Sequence, residues 1–315
     1  MKRGRVAVVG SYNLGITYRV SHLPVWGETL AGKSARFDHG GKGSNQAVAC
    51  ARLGAYTSFV GCVGMDPAGH SARQLLAAEG IDMGALETLE GYATGVGSIF
   101  LDDAGENAIV IDLGANAQLT PQALAARSHA PWRTADVVLA QWEVPWDTVQ
   151  CAFQEAAGLT LLNPAPACWE MAHADLVGVD ILTPNATEAR LLAGLDPVSP
   201  ISDREVLQRL RDRTQVPRII LTRGAAGSLI WDGEQAWSVP ALPVLAVDST
   251  GAGDVFNGVL AAALSQGTPF LDAVCLGSAA ASLSVEVPGV IPAIPAAELI
   301  HRRARDIKPQ SAHLD

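Results

Sequence analysis

Apolar residues along this chain fall into short unbroken runs separated by stretches of helical period. Arg5–Gly10 (Arg-Val-Ala-Val-Val-Gly) predicts a buried strand, and so do Thr57–Val63, Asp136–Ala140, Leu159–Leu162, Asp180–Leu182 and Arg218–Leu221. Helices are predicted from the glycines at 40–43 to about Leu53, closed by Gly54, and over His70–Glu79, ended by Gly80. Further helices are predicted over Pro145–Ala157, from about Thr187, and over Asp203–Thr214. Val255, Val259, Leu260, Ala263 and Leu264 recur at helical spacing, and three helices follow to the end, at about Asp254–Leu264, Leu271–Val285 and Ala296–Ile307. Apolar strands alternating with helices imply a parallel sheet covered on both faces. Other segments mix polar and apolar positions. Ile16–Val20 and Leu30–Phe37 read as exposed, two-sided strands on either side of a turn at Pro24 and Gly27. Thr94–Leu101 and Asn107–Ile111 form a hairpin around 102–105, and Ser228–Trp231 with Gln235–Val239 a small hairpin at one sheet edge.

Polar side chains recur where these buried strands end. Asn13 follows Val8-Val9-Gly10, Glu143 follows Val138-Leu139-Ala140, and Asn163 follows Leu161-Leu162. Asn185 follows Ile181-Leu182, and Thr222 follows Ile220-Leu221. Ligands of open parallel sheets bind outside those strand ends, so five such residues together predict a ligand crevice. The stretch Val247–Gly258 (Val-Asp-Ser-Thr-Gly-Ala-Gly-Asp-Val-Phe-Asn-Gly) adds an anion site. Gly251, Ala252 and Gly253 carry almost no side chain, and the first N–H groups of a helix lack partners at its positive end. Asp254 lies in that first turn, where a carboxylate can take a proton from an attacking hydroxyl.

Composition narrows the partners. The 315 residues suffice for one large α/β unit or two smaller ones, with 49% apolar and 17% charged residues. A net charge of −10 argues against nucleic acid or an anionic membrane as the main partner. The five cysteines (Cys50, Cys62, Cys151, Cys168, Cys275) form no Cys-x-x-Cys pair and read as reduced, buried thiols of a cytoplasmic protein. The basic start, Met1 to Arg5, leads into an apolar run only a strand long, a poor signal peptide. No uninterrupted apolar stretch reaches the ~18 residues of a spanning helix.

One motif misleads. Gly27-Glu28-Thr29-Leu30-Ala31-Gly32-Lys33-Ser34 fits the phosphate-loop pattern letter for letter. A working loop of that kind needs a buried strand before it and a long helix after it, and a double glycine follows too soon. Lys33 is therefore expected on the surface of a lid strand.

Several motifs together resemble the ribokinase-like (PfkB) carbohydrate kinases. They are Gly10-Ser11-Tyr12-Asn13, Pro24–Thr29, Gly40-Gly41-Lys42-Gly43-Ser44-Asn45-Gln46-Ala47, and Asn163-Pro164-Ala165-Pro166-Ala167. Further on come Thr183-Pro184-Asn185-Ala186-Thr187-Glu188, Leu221-Thr222-Arg223-Gly224, and Asp248-Ser249-Thr250-Gly251-Ala252-Gly253-Asp254. Within the family the likeness is closest to the ribokinases. The resemblance spans nearly the whole chain and implies one kinase domain over 1–315. Its fold would be a three-layer α/β/α sandwich, with about nine mostly parallel strands and a small β-sheet lid from strands within about 14–40 and 94–112. It implies transfer of the γ-phosphoryl of ATP to a primary hydroxyl of a pentose or ketohexose, with Mg²⁺ and a K⁺ requirement left open. Asp254 would be the base, and Gly251, Ala252 and Gly253 the donors to the moving phosphoryl. Asn13, Gly41, Lys42, Asn45 and Glu143 would bind sugar hydroxyls. Asn185, Thr222, Gly224 and Gly227 would bind nucleotide, and Glu188 would hold Mg²⁺ through water. Asp248 and Thr250 would form a monovalent-cation site. Such lids pair face to face, which implies a homodimer.

Three positions depart from that pattern. Ribokinases carry Asn-x-Asp after the first strand, and here the run is Asn13-Leu14-Gly15. Asp38 and His39 are candidates to replace the acid; alternatively Gly15 makes room for a larger or differently hydroxylated substrate. Ala293 stands where a cation-site hydroxyl is expected, and Ser278 near an expected histidine by the adenine. A nucleoside or other polyol kinase is the competing reading on the same fold. A sugar-binding regulator without catalysis is disfavoured by the intact Asp254. A dinucleotide oxidoreductase is disfavoured by the glycine spacing after the first strand.

Overall fold

The computed structural model describes residues 3–104 and 106–313; Gly105, in the expected 102–105 turn, lies outside them. The first half runs β1 (Arg5–Val9), β2 (Asn13–Arg19), β3 (Ser34–Gly40), α1 (Lys42–Arg52), β4 (Tyr56–Gly64), α2 (Pro67–Ala78), β5 (Asp82–Leu89), β6 (Gly95–Leu101), β7 (Asn107–Asp112) and α3 (Pro121–Ala125). It continues with β8 (Val137–Gln141), α4 (Trp146–Gln154), β9 (Leu159–Asn163), β10 (Ile181–Leu182), α5 (Ala186–Leu192), α6 (Asp203–Thr214) and β11 (Arg218–Thr222). Last come β12 (Ser228–Trp231), β13 (Ala236–Val239), α7 (Ala252–Ser265), α8 (Phe270–Ser284), α9 (Ala297–Ala304) and β14 (Gln310–Ala312).

The large sheet has ten strands in the order β14-β13-β12-β11-β10-β9-β8-β1-β4-β5. From β11 to β5 every neighbouring pair is parallel; β12, β13 and β14 add on antiparallel. Successive side chains of a strand point to opposite faces, and β1 shows what that does. Val6 and Val8 join a core under α1, α2, α7, α8 and α9, whereas Ala7 and Val9 join a second core under α3, α4, α5 and α6. Both faces are buried, so the central strands are mostly apolar, and the result is three layers. Each fully buried aliphatic side chain contributes about 1.5–3 kcal/mol. A second sheet of four strands, in the order β3-β2-β6-β7, stands beside it. Its β2–β6 pair is parallel and its outer pairs antiparallel.

Several boundaries differ from expectation. The pairing Asn13↔Gly40 through Arg19↔Ser34 sets the register of the second sheet. Consequently β2 starts at Asn13 rather than Ile16, and β3 covers 34–40 rather than 30–37, taking in the first glycine of the pair assigned to the helix. The 228–239 hairpin is not the sheet's edge, because β14 pairs outside it. The sheet has ten strands where about nine were expected. Lys33 immediately precedes β3, where no helix follows, and pairs with Asp103 at the surface. The phosphate-loop reading fails on that geometry. The five cysteines are free, three of them buried, while Cys151 and Cys168 are half-buried. Among the described residues no helix is long and apolar enough to cross a membrane.

Candidate active site

The polar residues predicted at strand ends meet where β1, β8, β9 and β10 finish, beside the start of the second sheet. The first turns of α1 and α7 define the centre. Gly41 caps α1 with φ 90°, and a Cβ there would fall 2.6 Å from the Asn13 nitrogen. Only glycine permits that turn, which presses Lys42 and Asn45 toward the strand ends. Gly251 caps α7 with φ 75°, and a Cβ there would strike Val290. Two turns further in, Gly258 lies so close to α1 that a Cβ would meet the Ala49 Cβ and the Gln46 carbonyl oxygen at 2.5 Å. The two helices therefore cross almost backbone to backbone.

That closeness brings the amides of α1 to the acid of α7. Asp254 is buried, and Asn45 Nδ2 donates to its Oδ2 at 2.9 Å while Gln46 Nε2 donates to its Oδ1 at 3.0 Å. The open side of the turn is toward Gly253, where a Cβ would meet nothing within 4 Å. The first amides of α7 have no helical carbonyl four residues back and sit at the positive end of a 14-residue helix. Asn45 Oδ1 is buried without a partner, an acceptor that a substrate hydroxyl can fill.

A second carboxylate organises the other side. Glu143 Oε2 accepts from the Lys42 backbone N–H at 3.0 Å, from Asn13 Nδ2 at 3.3 Å and from the Ser11 hydroxyl. Asn13 is oriented in turn by Asn116 Nδ2, which donates to its Oδ1 at 2.9 Å and to the Tyr12 carbonyl at 3.0 Å. The Lys42 ammonium feels burial, which pulls its pKa down, and the carboxylates of Asp254, Glu143 and Glu188, which outweigh burial and leave it above the ordinary lysine value.

Asn185 and Glu188 form a reciprocal cap on α5. Asn185 Oδ1 accepts from the N–H groups of Thr187 and Glu188 at 2.9 Å, and Glu188 Oε2 accepts from the Asn185 N–H at 2.8 Å. Burial pushes the Glu188 carboxyl up to about 7, with the Asn185 N–H and Lys42 pulling against it. Thr222 bridges to Asn185 and donates its N–H to the Pro184 carbonyl at 2.9 Å. Gly224 (φ 56°) and Gly227 (φ 76°) shape the tight loop that follows. A Cβ on Gly224 would meet nothing, whereas one on Gly227 would strike the Val239 carbonyl. Asp248 stands apart from the carboxylates around Lys42, in the loop before α7. Its carboxylate accepts from the Thr250 and Gly289 N–H groups at 2.9 Å. Burial raises its pKa, but these hydrogen bonds and nearby Arg36 outweigh that and lower it. Ala293 is buried and brings no hydroxyl; Ser278 is buried on α8.

Among the described residues no group of three or more acids, cysteines or histidines is gathered to hold a metal ion. The carboxylates of Asp254, Glu143 and Glu188 each act electrostatically on the Lys42 ammonium. Glu188, a buried carboxylate, is an oxygen donor that would suit a divalent cation keeping most of its water. Sequence reasoning missed Gln46, Asn116, Ser11 and Gln141 as site residues. Their side-chain hydrogen bonds reach partners 95 or more residues away, Ser11–Gly43 excepted, so no local spacing betrays them.

Residues 3–297 match the model of the pfkB family carbohydrate kinases. The ribokinase of Haemophilus influenzae is 35% identical over 297 residues, covering 93% of this chain and 96% of its own. The deoxyribokinase of Salmonella typhi is 34% identical over 259 residues, 81% of this chain and 84% of its own. The structure of Arabidopsis thaliana ribokinase complexed with ribose and ATP superposes with a TM-score of 0.82 at 28% identity, covering 97% of this chain and 99% of that one. The chain belongs to the pfkB carbohydrate kinase family.

Proposed function

We propose that the chain is an ATP-dependent sugar kinase that moves the γ-phosphoryl of ATP to a primary hydroxyl of a ribose-like pentose or a related ketohexose. The observation that carries this reading is Asp254, buried in the first turn of α7 with both carboxylate oxygens held by α1, beside an open helix N-terminus. Asp254 takes the proton of the acceptor hydroxyl. The hydroxyl oxygen then bonds to phosphorus, the bond to the β-phosphate oxygen breaks, and ADP leaves. The amides of Gly251, Ala252 and Gly253 meet the charge that spreads over the transferred phosphoryl. Lys42 holds phosphate or sugar oxygens at the centre. Asn13, Gly41, Asn45 and Glu143 bind sugar hydroxyls; three donors already occupy Glu143 Oε2, so its other oxygen serves the substrate. Asn185, Thr222, Gly224 and Gly227 line the nucleotide side. Glu188 would hold Mg²⁺ through water, and the ion would neutralise phosphate charge there. Asp248 and Thr250 would hold a monovalent cation, K⁺ being the obvious test.

The second sheet serves as a lid on the sugar. Gly15 lies on the same face of β2 as Asn13 and pairs with Asp38 on one side and Gly97 on the other. Paired residues share a face, so Asp38 stands where it can replace an acid at position 15, whereas His39 faces the other way, 2.8 Å from the Tyr12 hydroxyl. A Cβ on Gly97 would meet nothing within 4 Å, and this spare room favours the second reading, a nucleoside or other polyol acceptor. Residues 1–315 form one cytoplasmic kinase domain that pairs through the lid, where Phe37 and Val110 are each 65% exposed. ADP release with D-ribose, 2-deoxy-D-ribose, D-fructose and a ribonucleoside, with and without K⁺, tests the assignment. Asp254→Asn should abolish transfer and keep ATP binding. A fully active Asp254→Asn refutes the proposal.

A further inference from the structure

Gln46 is fully buried on α1, and its amide touches three side chains from three other elements. Its Nε2 donates to Asp254 Oδ1 and to Asn163 Oδ1, each at 3.0 Å, and its Oε1 accepts from Gln141 Nε2 at 2.6 Å. The orientation of an amide is ambiguous from shape alone, but here two partners decide it. The Thr183 carbonyl only accepts, so Asn163 must offer it Nδ2, at 3.2 Å, and turn Oδ1 toward Gln46. The Asp254 carboxylate likewise only accepts. Gln46 must therefore present its NH₂ to both, its two N–H bonds matching two acceptors, and its oxygen to Gln141. Gln141 is then left with a buried Oε1 that has no partner. Gly10 makes the room for it, since a Cβ there would fall 2.2 Å from that oxygen.

We infer that Gln46 is the positioning residue of the reaction. The amide series Gln141–Gln46–Asn163 fixes which end of Gln46 faces Asp254, and so holds the carboxylate from rotating away from the acceptor hydroxyl. This rests on Asp254 acting as the base. It deepens that reading, because Gln46 touches neither substrate nor phosphate in the scheme and acts only through the acid.

The test is steady-state ADP release for wild type, Gln46→Met, Gln141→Met and Asp254→Asn, using the fastest acceptor among D-ribose, 2-deoxy-D-ribose, D-fructose and a ribonucleoside. KM for acceptor and ATP and thermal unfolding are measured alongside. Misplacing a reacting group by ~1 Å costs up to about 100-fold, so Gln46→Met should lower kcat about 10- to 100-fold with both KM values within about threefold of wild type. Gln141→Met should lower kcat about 3- to 10-fold with the same split, because Gln46 Oε1 loses the donor that anchors it on the side away from Asp254. Wild-type kcat in Gln46→Met, or a rise in KM with kcat preserved, overturns the inference. Should Gln46→Met fail to fold, Gln141→Met decides, and wild-type kcat there overturns it. A dead Asp254→Asn beside a fully active Gln46→Met sinks the positioning role alone. An active Asp254→Asn, or ADP release with none of the four acceptors, sinks the kinase reading and this role with it.

Discussion

Gly258→Ala tests whether the distance between α1 and α7 sets the chemistry. Gly258 lies one turn below Asp254 on α7, and Ala49 one turn below Asn45 on α1, so residues four apart stack on one face of each helix. An added Cβ would sit 2.5 Å from both the Ala49 Cβ and the Gln46 carbonyl oxygen, neither of which can swing aside. Relief to an ordinary contact of about 3.4 Å means moving the helices about 1 Å apart. By propensity alone, Gly→Ala inside a helix gains about 0.5–1 kcal/mol. Overpacking costs about 1–3 kcal/mol, so the clash wins and the variant should be destabilised by about 0.5–2 kcal/mol. Calorimetry should show Tm lower by a few degrees, at about 2–4 °C per kcal/mol. The same movement stretches the Asn45 and Gln46 bonds to Asp254, now 2.9 and 3.0 Å, past the ~3.5 Å limit of a hydrogen bond. The kcat for ADP release should then fall by about 10- to 100-fold. A higher Tm with unchanged kcat would refute the reasoning, for it would mean the contact relaxes without moving the amides.

Gly15→Asp should fold, because its Cβ would meet only the Asp38 backbone oxygen at 3.5 Å and the Asp38 Cβ at 3.9 Å. One restored charged hydrogen bond contributes about 1.5–3 kcal/mol, so KM for D-ribose should drop about tenfold or more; an unchanged KM means the pocket is rebuilt more widely. Asp66 caps α2 through the Gly69 N–H at 2.7 Å and also accepts from the Thr94 N–H and hydroxyl at 2.7 Å. Burial raises its pKa, but these bonds outweigh that and hold it below the ordinary value. A carboxyl lowered on folding stabilises above its unfolded pKa of about 3.9, and that stability is lost as pH falls through the folded value. Tm should fall as pH drops below about 4, and Asp66→Ala, costing about 1–2 kcal/mol at neutral pH, should flatten that decline. Val110→Lys puts a charge on the exposed face of the second sheet and should shift sedimentation toward the monomer without changing Tm; an unchanged sedimentation coefficient at dimer mass refutes pairing through that face.

The central strands were legible because burial on both faces leaves mostly apolar runs in them: β1, β4, β8, β9 and β11 fall within a residue or so of expectation. What was not legible depends on a partner. β5 (Asp-Met-Gly-Ala-Leu-Glu-Thr-Leu) is an outer strand paired only with β4, with an irregular register between Ser58 and Val60, so its pattern shows neither a clean alternation nor an apolar run. β14 is Gln-Ser-Ala, too short and too polar to show a pattern, and it forms a strand only because β13 offers an edge. The 34–40 register of β3 follows from where β2 begins, a fact of the site rather than of local propensity. The site divides the same way. Asp254, Lys42, Asn45 and Glu143 stand at strand ends or helix starts and can be read from position. Gln46 sits mid-turn on a helix, and its meaning comes from residues 95, 117 and 208 positions away.

Charge gives the last constraint. A chain of net charge −10 repels a nucleotide polyanion at long range, and screening removes most of that beyond roughly 8–10 Å. At short range the centre is also acidic, with Asp254, Glu143 and Glu188 around Lys42. Binding a triphosphate there is favourable only if backbone N–H groups and cations outweigh the carboxylates. The glycines at 251 and 253 expose the amides, Lys42 supplies one fixed cation, and the carboxyl of Glu188, raised to about 7 by burial, has the most to gain from a second. Removing Mg²⁺ with a chelator should therefore weaken ATP binding far more than acceptor binding, which titration calorimetry of each ligand alone would separate. Equal losses for both would mean that the sugar hydroxyls, and not the phosphates, depend on the cation.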